Sequence, residues 1–162
     1  MTLLKKSLFM VLSIMALGAG VFAFNAQRPD FTTVDGRDYQ WQELQGKWVV
    51  VNYFAQWCAP CLREIPQLNE FYQQNNPQIK LFAISFDPAS DQQLTDMQQK
   101  FDIQFPLIAK VKGPLPMLRP KSLPASFLIA PDGTVAKQLL GEQSAESLSQ
   151  AIAYLEGLHS GL

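Results

Sequence analysis

Two cysteines, Cys58 and Cys61, stand two residues apart, and no third occurs anywhere in the 162-residue chain. They follow closely on the run from Trp48 to Phe54, rich in β-branched and aromatic residues. Its nearly unbroken apolarity predicts a central strand covered on both faces. Behind the cysteines, Leu62, Ile65, Leu68 and Tyr72 recur at helical spacing and predict a helix from about Ala59 to Gln74. The pair therefore sits where a buried strand hands over to a helix. A two-residue spacer closes too short a loop to act as a structural staple. Cys-x-x-Cys then reads as a redox pair or as half of a zinc site. Zinc takes about four ligands. The single histidine, His159, lies close to the C-terminus. Ligand counting disfavours zinc, no metal site is expected, and the redox pair is the reading that stands.

The rest of the chain supplies a frame for that junction. Ile79 to Phe86 predicts a second buried strand, and Asp91 to Phe101 a helix, with Leu94, Met97 and Phe101 on one face. Ala125–Ala130 and Thr134–Leu140 predict a hairpin around Pro131-Asp132-Gly133. A last helix from about Ser144 to Gly157 presents Leu148, Ile152 and Leu155. Asp35-Gly36 marks a turn between short extended pieces. Strands that alternate with helices and end in a hairpin predict an α/β chain with a central mixed sheet flanked by helices. With 48% hydrophobic and 17% charged residues, the composition excludes a disordered or collagen-like chain.

The N-terminus reads differently. Lys5 and Lys6 precede an uncharged run from Ser7 to Gln27 whose heart is Leu8 to Phe24. A basic start before an apolar segment predicts an export signal or a signal anchor. A spanning helix needs ~20 residues, so the length favours an uncleaved anchor. Val21-Phe22-Ala23 leaves a cleaved signal peptide as the alternative, and no cysteine follows the run, which argues against a lipoprotein. The expected division is therefore residues 1–27 as anchor or signal and residues 28–162 as one exported domain. No second stretch is apolar and long enough to span, which excludes a polytopic membrane protein. Setting Lys5 and Lys6 aside leaves 11 basic and 14 acidic side chains, a net charge of −3. Such a domain has no general attraction for nucleic acid.

Several motifs in order make the reading specific. Pro29-x-Phe31, Gly46-Lys47, Trp57-Cys58-Ala59-Pro60-Cys61, Arg63-Glu64-x-Pro66 and the segment from Leu123-Pro124 to Ile129 together resemble the TlpA/ResA-like branch of thioredoxin-fold proteins. The likeness runs from residue 29 to about 156. It implies a thioredoxin-like domain behind one N-terminal helix in the cytoplasmic membrane, facing the periplasm. It implies a thiol-disulfide oxidoreductase without a cofactor, reduced by a membrane electron donor. Its partners would be exported proteins with disulfides, apocytochrome c among them. The cytochrome-maturation members commonly carry a Gly-rich acidic insert before the cis-proline loop. Gly113-Pro114 stands here without the acid.

The physics of the motif points the same way. Cys58 at the helix start meets unpaired N–H groups and the positive end of the macrodipole, which favour a thiolate. Cys58 is thus the expected nucleophile, and Cys61, one turn on, the resolving thiol of a redox-active disulfide. Pro60 suits a first helical turn, where no donor is missed. Pro66 should kink the helix. In the resembled family Pro124 is a cis-proline beside the disulfide, and a cis X-Pro bond costs only about 0.5–1 kcal/mol. Trp57, Pro60, Leu123 and Pro124 are the candidate substrate-binding positions, Trp57 as a rim residue rather than a catalyst. Glu64, three residues after Cys61, is the candidate acid/base, balanced against an ordinary solvated helix glutamate. Thioredoxins proper have a buried aspartate on the preceding strand, where this chain has Asn52.

Other functions on the same fold make different demands. A peroxiredoxin-like peroxidase would need threonine or serine three residues before its cysteine, where Ala55 stands. A metal- or copper-delivery module would want a histidine across from the cysteines, and a non-catalytic client-binding domain would leave the pair idle. From Ile103 through Pro131 there is no acidic residue, while Lys110, Lys112, Arg119 and Lys121 fall within twelve positions. Pro114, Pro116, Pro120 and Pro124 stiffen this stretch into a loop. It is expected to lie along the active-site rim as a basic border, or as a solvated loop.

Overall fold

The computed structural model describes residues 28–160, together with Met15. The helix expected over residues 1–27 otherwise lies outside the described residues, among which no helix is long and apolar enough to cross a membrane. The chain begins with β1 (Phe31–Thr33) and β2 (Asp38–Tyr39), joined across the expected turn, where Gly36 takes φ +80°. A short 3-10 turn (Trp41–Leu44) leads to β3 (Trp48–Phe54), α1 (Ala59–Gln73), β4 (Ile79–Ser85) and α2 (Asp91–Lys100). Then come β5 (Leu107–Val111), β6 (Ala125–Ile129), β7 (Val135–Leu140) and α3 (Ala145–Ser160).

The strands form one mixed sheet in the order β2-β1-β5-β4-β3-β6-β7. Strands β3, β4 and β5 run parallel, and β6 runs antiparallel to β3. All seven residues of β3 are buried, as its apolar sequence predicts for a central strand. One correction concerns β5. The prolines predict a loop leading into Pro124, ahead of the Ala125–Ala130 strand, yet Leu107–Val111 pairs with β4 on one side and β1 on the other. The apolar start Leu107-Ile108-Ala109 enters the sheet, while the lysine-bearing end is exposed and hides the strand's character. Pro66 does not end α1, which continues to Gln73.

The two faces of the sheet are covered unequally. Ile65, Leu68 and Phe71 of α1, Leu94 and Met97 of α2, and Leu148 and Ile152 of α3 all pack into one cluster with Trp48, Val50 and Phe54 of β3. The alternate residues Val49, Val51 and Tyr53 point the other way, to Phe31, Phe82, Phe127 and Met117. That second face has, among the described residues, no α-helix over it, only the 3-10 turn with Trp41 and Leu44. It is closed by aromatic contacts of Phe31 with Tyr39, Trp41 and Phe82, and by the proline-rich stretch after β5. The stretch is pinned where it begins, because Lys112 and Gly113 both donate backbone N–H groups to the Asp30 carbonyl. A side chain at Gly113 would collide with Asp30, so only glycine admits this approach.

Candidate active site

Strand β3 ends at Phe54, and four residues later Cys58 caps α1. Cys58 is extended (φ −87°, ψ 91°), and its sulfur accepts the Cys61 N–H at 3.3 Å. The two cysteines form a disulfide. Cys61 is fully buried and Cys58 is 5% exposed. The sulfur of Cys58 thus lies at the one end of α1 where backbone N–H groups lack helical partners, which is where a thiolate is stabilised. Pro60 occupies the first turn. Ala55, three residues before Cys58, is buried and offers no hydroxyl at the place a peroxidase would need one.

Strand pairing brings Pro124 to the same end of the sheet. Ala125 lies opposite Tyr53, so Pro124 falls level with the last residue of β3. The Leu123–Pro124 bond is cis, as the resemblance implies. The Pro124 carbonyl accepts the Gly141 N–H at 2.9 Å.

Glu64 is not a solvated helix residue. It is 2% exposed, under the sheet face that carries Asn52. Asn52 Nδ2 donates to Glu64 Oε1 at 2.7 Å and to Ser126 Oγ at 3.0 Å. The Gln143 backbone N–H donates to Glu64 Oε2 at 3.0 Å. Burial pushes the Glu64 carboxyl up to about 7, partly opposed by the Gln143 and Asn52 hydrogen bonds and helped slightly by the Glu142 charge. Glu142 itself faces outward and holds Arg63 of α1 at 2.5 Å. One short loop, Gly141–Gln143, therefore touches the cis-proline, the buried carboxyl and the outer face of α1. Asn52 stands where the resembled thioredoxins carry an aspartate, and it supports the carboxyl that Glu64 supplies from the helix.

The opposite side of the cysteine loop is open. Trp57 is 64% exposed, and its indole N–H donates to Asp87 Oδ2 at 2.6 Å. Its ring meets Phe86 edge-on at 6.4 Å. The Arg119 guanidinium lies 3.7 Å over the Phe86 ring and donates to the Phe86 carbonyl at 2.8 Å. The expected basic border is divided. Lys110 pairs with Asp91 at 2.7 Å and Lys112 with Asp38 at 3.3 Å, so these two charges are neutralised away from the cysteines. Among the candidate substrate-binding positions, Trp57 adjoins Cys58 in the open loop, and Pro124 lies at the same end of the sheet. Leu123 is half-buried and packs against both clusters of the core. Ser126, Gln143, Glu142 and the Arg119–Phe86 stack were not found in the sequence, where no spacing rule joins them to the cysteines.

With this geometry in place, likeness to known proteins is informative. The model of the AhpC/TSA family matches residues 21–138. The chain is 31% identical to the thiol-disulfide oxidoreductase ResA of Bacillus thuringiensis subsp. konkukian over 134 residues, covering 76% of this chain and 73% of that protein. The solved structure of StoA from Bacillus subtilis superposes with a TM-score of 0.63 at 26% identity, covering 74% of this chain and 92% of that one. An exposed lipoprotein thioredoxin from Streptococcus pneumoniae superposes with a TM-score of 0.67 at 20% identity over 76% of this chain and 96% of that one, a likeness of fold. A disulfide at a helix start, on a thioredoxin-like sheet and beside a cis-proline, agrees with these relatives: the chain belongs to the AhpC/TSA family and is a thioredoxin-fold, ResA-like thiol-disulfide oxidoreductase.

Proposed function

We propose that the chain is an exported, membrane-anchored reductase of protein disulfides, with Cys58 as nucleophile, Cys61 as resolving thiol and Glu64 as proton acceptor. The observation that carries this reading is the Cys58–Cys61 disulfide at the start of α1, one turn from a buried carboxyl held near pH 7. In the reduced protein, the Cys58 thiolate attacks a client disulfide. One client sulfur leaves as a thiolate, and a Cys58–client mixed disulfide forms. The Cys61 thiol gives its proton to the Glu64 carboxylate. The Cys61 thiolate then attacks Cys58 Sγ, expels the second client sulfur and closes the Cys58–Cys61 disulfide. The client gains two electrons and the protein loses two, so each cycle needs a membrane electron donor to restore the dithiol. A carboxyl titrating near neutrality is well matched to taking and returning that proton.

Exchange requires a free edge for the client, and the cis-proline arm with Trp57 opposite offers a place on each side of Cys58. Residues 1–27 serve as the anchor, or alternatively as a cleaved signal that leaves a soluble periplasmic domain. Exported proteins with disulfides, apocytochrome c among them, are the clients this reading assigns. The test is trapping. Cys61→Ser should accumulate mixed disulfides through Cys58, resolvable by diagonal gels, and Cys58→Ser should accumulate none. Trapping through Cys61 alone would reverse the roles, and failure of the parent to reduce insulin would refute the reductase reading.

A further inference from the structure

The proline-rich stretch between β5 and β6 has its own construction. Met117 and Pro120 are buried, and the two residues between them are exposed, Leu118 at 87%. Arg119 is fixed in this display by two contacts with one residue: its guanidinium lies flat over the Phe86 ring, and Nη2 donates to the Phe86 carbonyl. A guanidinium carries five N–H donors in a planar fork. One is engaged here, on a side chain that is otherwise exposed. Neither Arg119 nor Lys121 forms an ion pair among the described residues, in contrast to Lys110 and Lys112. The nearest acidic residue in sequence to Phe86 is Asp87, which already accepts the Trp57 indole N–H.

Position gives these two charges a task. The Phe86 N–H donates to the Phe54 carbonyl at 2.7 Å, which places the Arg119 stack at the mouth of the loop that carries Cys58. Lys121 lies three residues before the cis-proline. A polypeptide that reaches Cys58 along this side meets this border. A stacked guanidinium has little rotamer freedom left to lose, so it can hold a carboxylate in two-point fashion at less entropic cost than a free side chain.

We propose that Arg119 and Lys121 form a carboxylate-binding subsite beside Cys58, which takes an acidic side chain flanking the client's reactive cysteine. This rests on the reading that clients exchange disulfides at Cys58. The two cations lie on a domain of net charge −3, so they act as a local landing point within a field that otherwise repels acidic chains.

The experiment uses the full chain in detergent and two matched peptide disulfides, one with glutamates and one with lysines beside the cysteine. Bis(2-hydroxyethyl) disulfide is the neutral control. The parent should reduce the acidic peptide with a kcat/KM about tenfold above the basic one, and added salt should compress that ratio. Arg119→Gln with Lys121→Gln should bring the ratio to about one by slowing the acidic peptide and accelerating the basic one. The acceleration is a gain that misfolding cannot produce. Lys110→Gln with Lys112→Gln should leave the ratio at its parent value, because both charges are already paired. Equal rates for the two peptides in the parent, with the neutral control still reduced, would overturn the subsite alone. A ratio that survives in the Arg119/Lys121 variant, or collapses equally in the Lys110/Lys112 variant, would overturn it too. Loss of reduction of the neutral control by the parent would refute the redox reading and the subsite with it.

Discussion

The two sides of the cysteine loop are built on opposite principles. On the helix-covered side, Glu64 is sealed from water and held by Asn52 and the Gln143 N–H. On the open side, Trp57 and Arg119 stand at the surface over the half-buried Phe86, held by ring contacts and single hydrogen bonds. A buried charge is governed by desolvation, which salt does not reach. An exposed charge is governed by the solution around it. On the proposed roles, the site divides its labour: proton transfer would be set in the dry half, and client choice in the wet half. Changes on the first side should therefore be read in pH, and changes on the second in ionic strength.

The largest effect is expected from Glu64→Gln. It should slow resolution of the mixed disulfide about 100-fold near neutral pH and erase the rate midpoint near pH 7, followed by quenched-flow thiol trapping. The same residue should mark stability. Its ordinary pKa is 4.5, and the folded protein raises it to about 7. Protonated Glu64 is thus favoured by folding below pH 4.5, and that advantage is lost as pH rises to 7. The oxidised parent should lose about 3 kcal/mol relative to Glu64→Gln across this window, measured by urea unfolding at several pH values. Parallel curves for the two proteins would place Glu64 in water.

A smaller effect is expected from Asn52→Ala. The Asn52 amide hydrogen bond favours the carboxylate, so its loss should move the rate midpoint upward by about one pH unit. A downward move would mean that Asn52 stabilises the protonated acid instead. The smallest effects should come from the outer pair. Glu142→Gln removes a negative charge near Glu64 and should lower the midpoint by roughly half a unit, whereas Arg63→Gln leaves Glu142 uncompensated and should raise it by a similar amount. Shifts of the same sign in the two variants would show that loop position, not charge, is what they alter. Trp57→Ala lies across the divide and should leave the midpoint in place while changing the ranking of clients.

Much of the dry half was legible in the chain because local rules reach it. The apolar run of β3, the helical stripe of α1 and the cysteine spacing place Cys58, Cys61 and Glu64 on one stretch of residues. Pro124 was found through its neighbours rather than through the proline itself. What completes the carboxyl's surroundings was hidden, since Ser126 and Gln143 lie more than sixty residues away and enter only through sheet pairing and the turn before α3. The balance between a buried and a solvated Glu64 could not be struck from spacing, because both readings share the same helix position. In the wet half, counting lysines overstated the charge available. Lys110 and Lys112 meet Asp91 and Asp38 only once β5 lies between β1 and β4. Four prolines nearby masked that strand, whose five residues end in exposed lysine and valine.

The stretch after β5 that displays Leu118 and Arg119 joins no strand ladder, and its two buried anchors, Met117 and Pro120, stand only three positions apart. Lengthening such a segment costs little, about 0.6 kcal/mol for each doubling of a flexible loop. Insertions and substitutions there need not disturb β3, α1 or the carboxyl beneath them. A lineage could therefore try new partners at this rim while inheriting its electron chemistry unchanged.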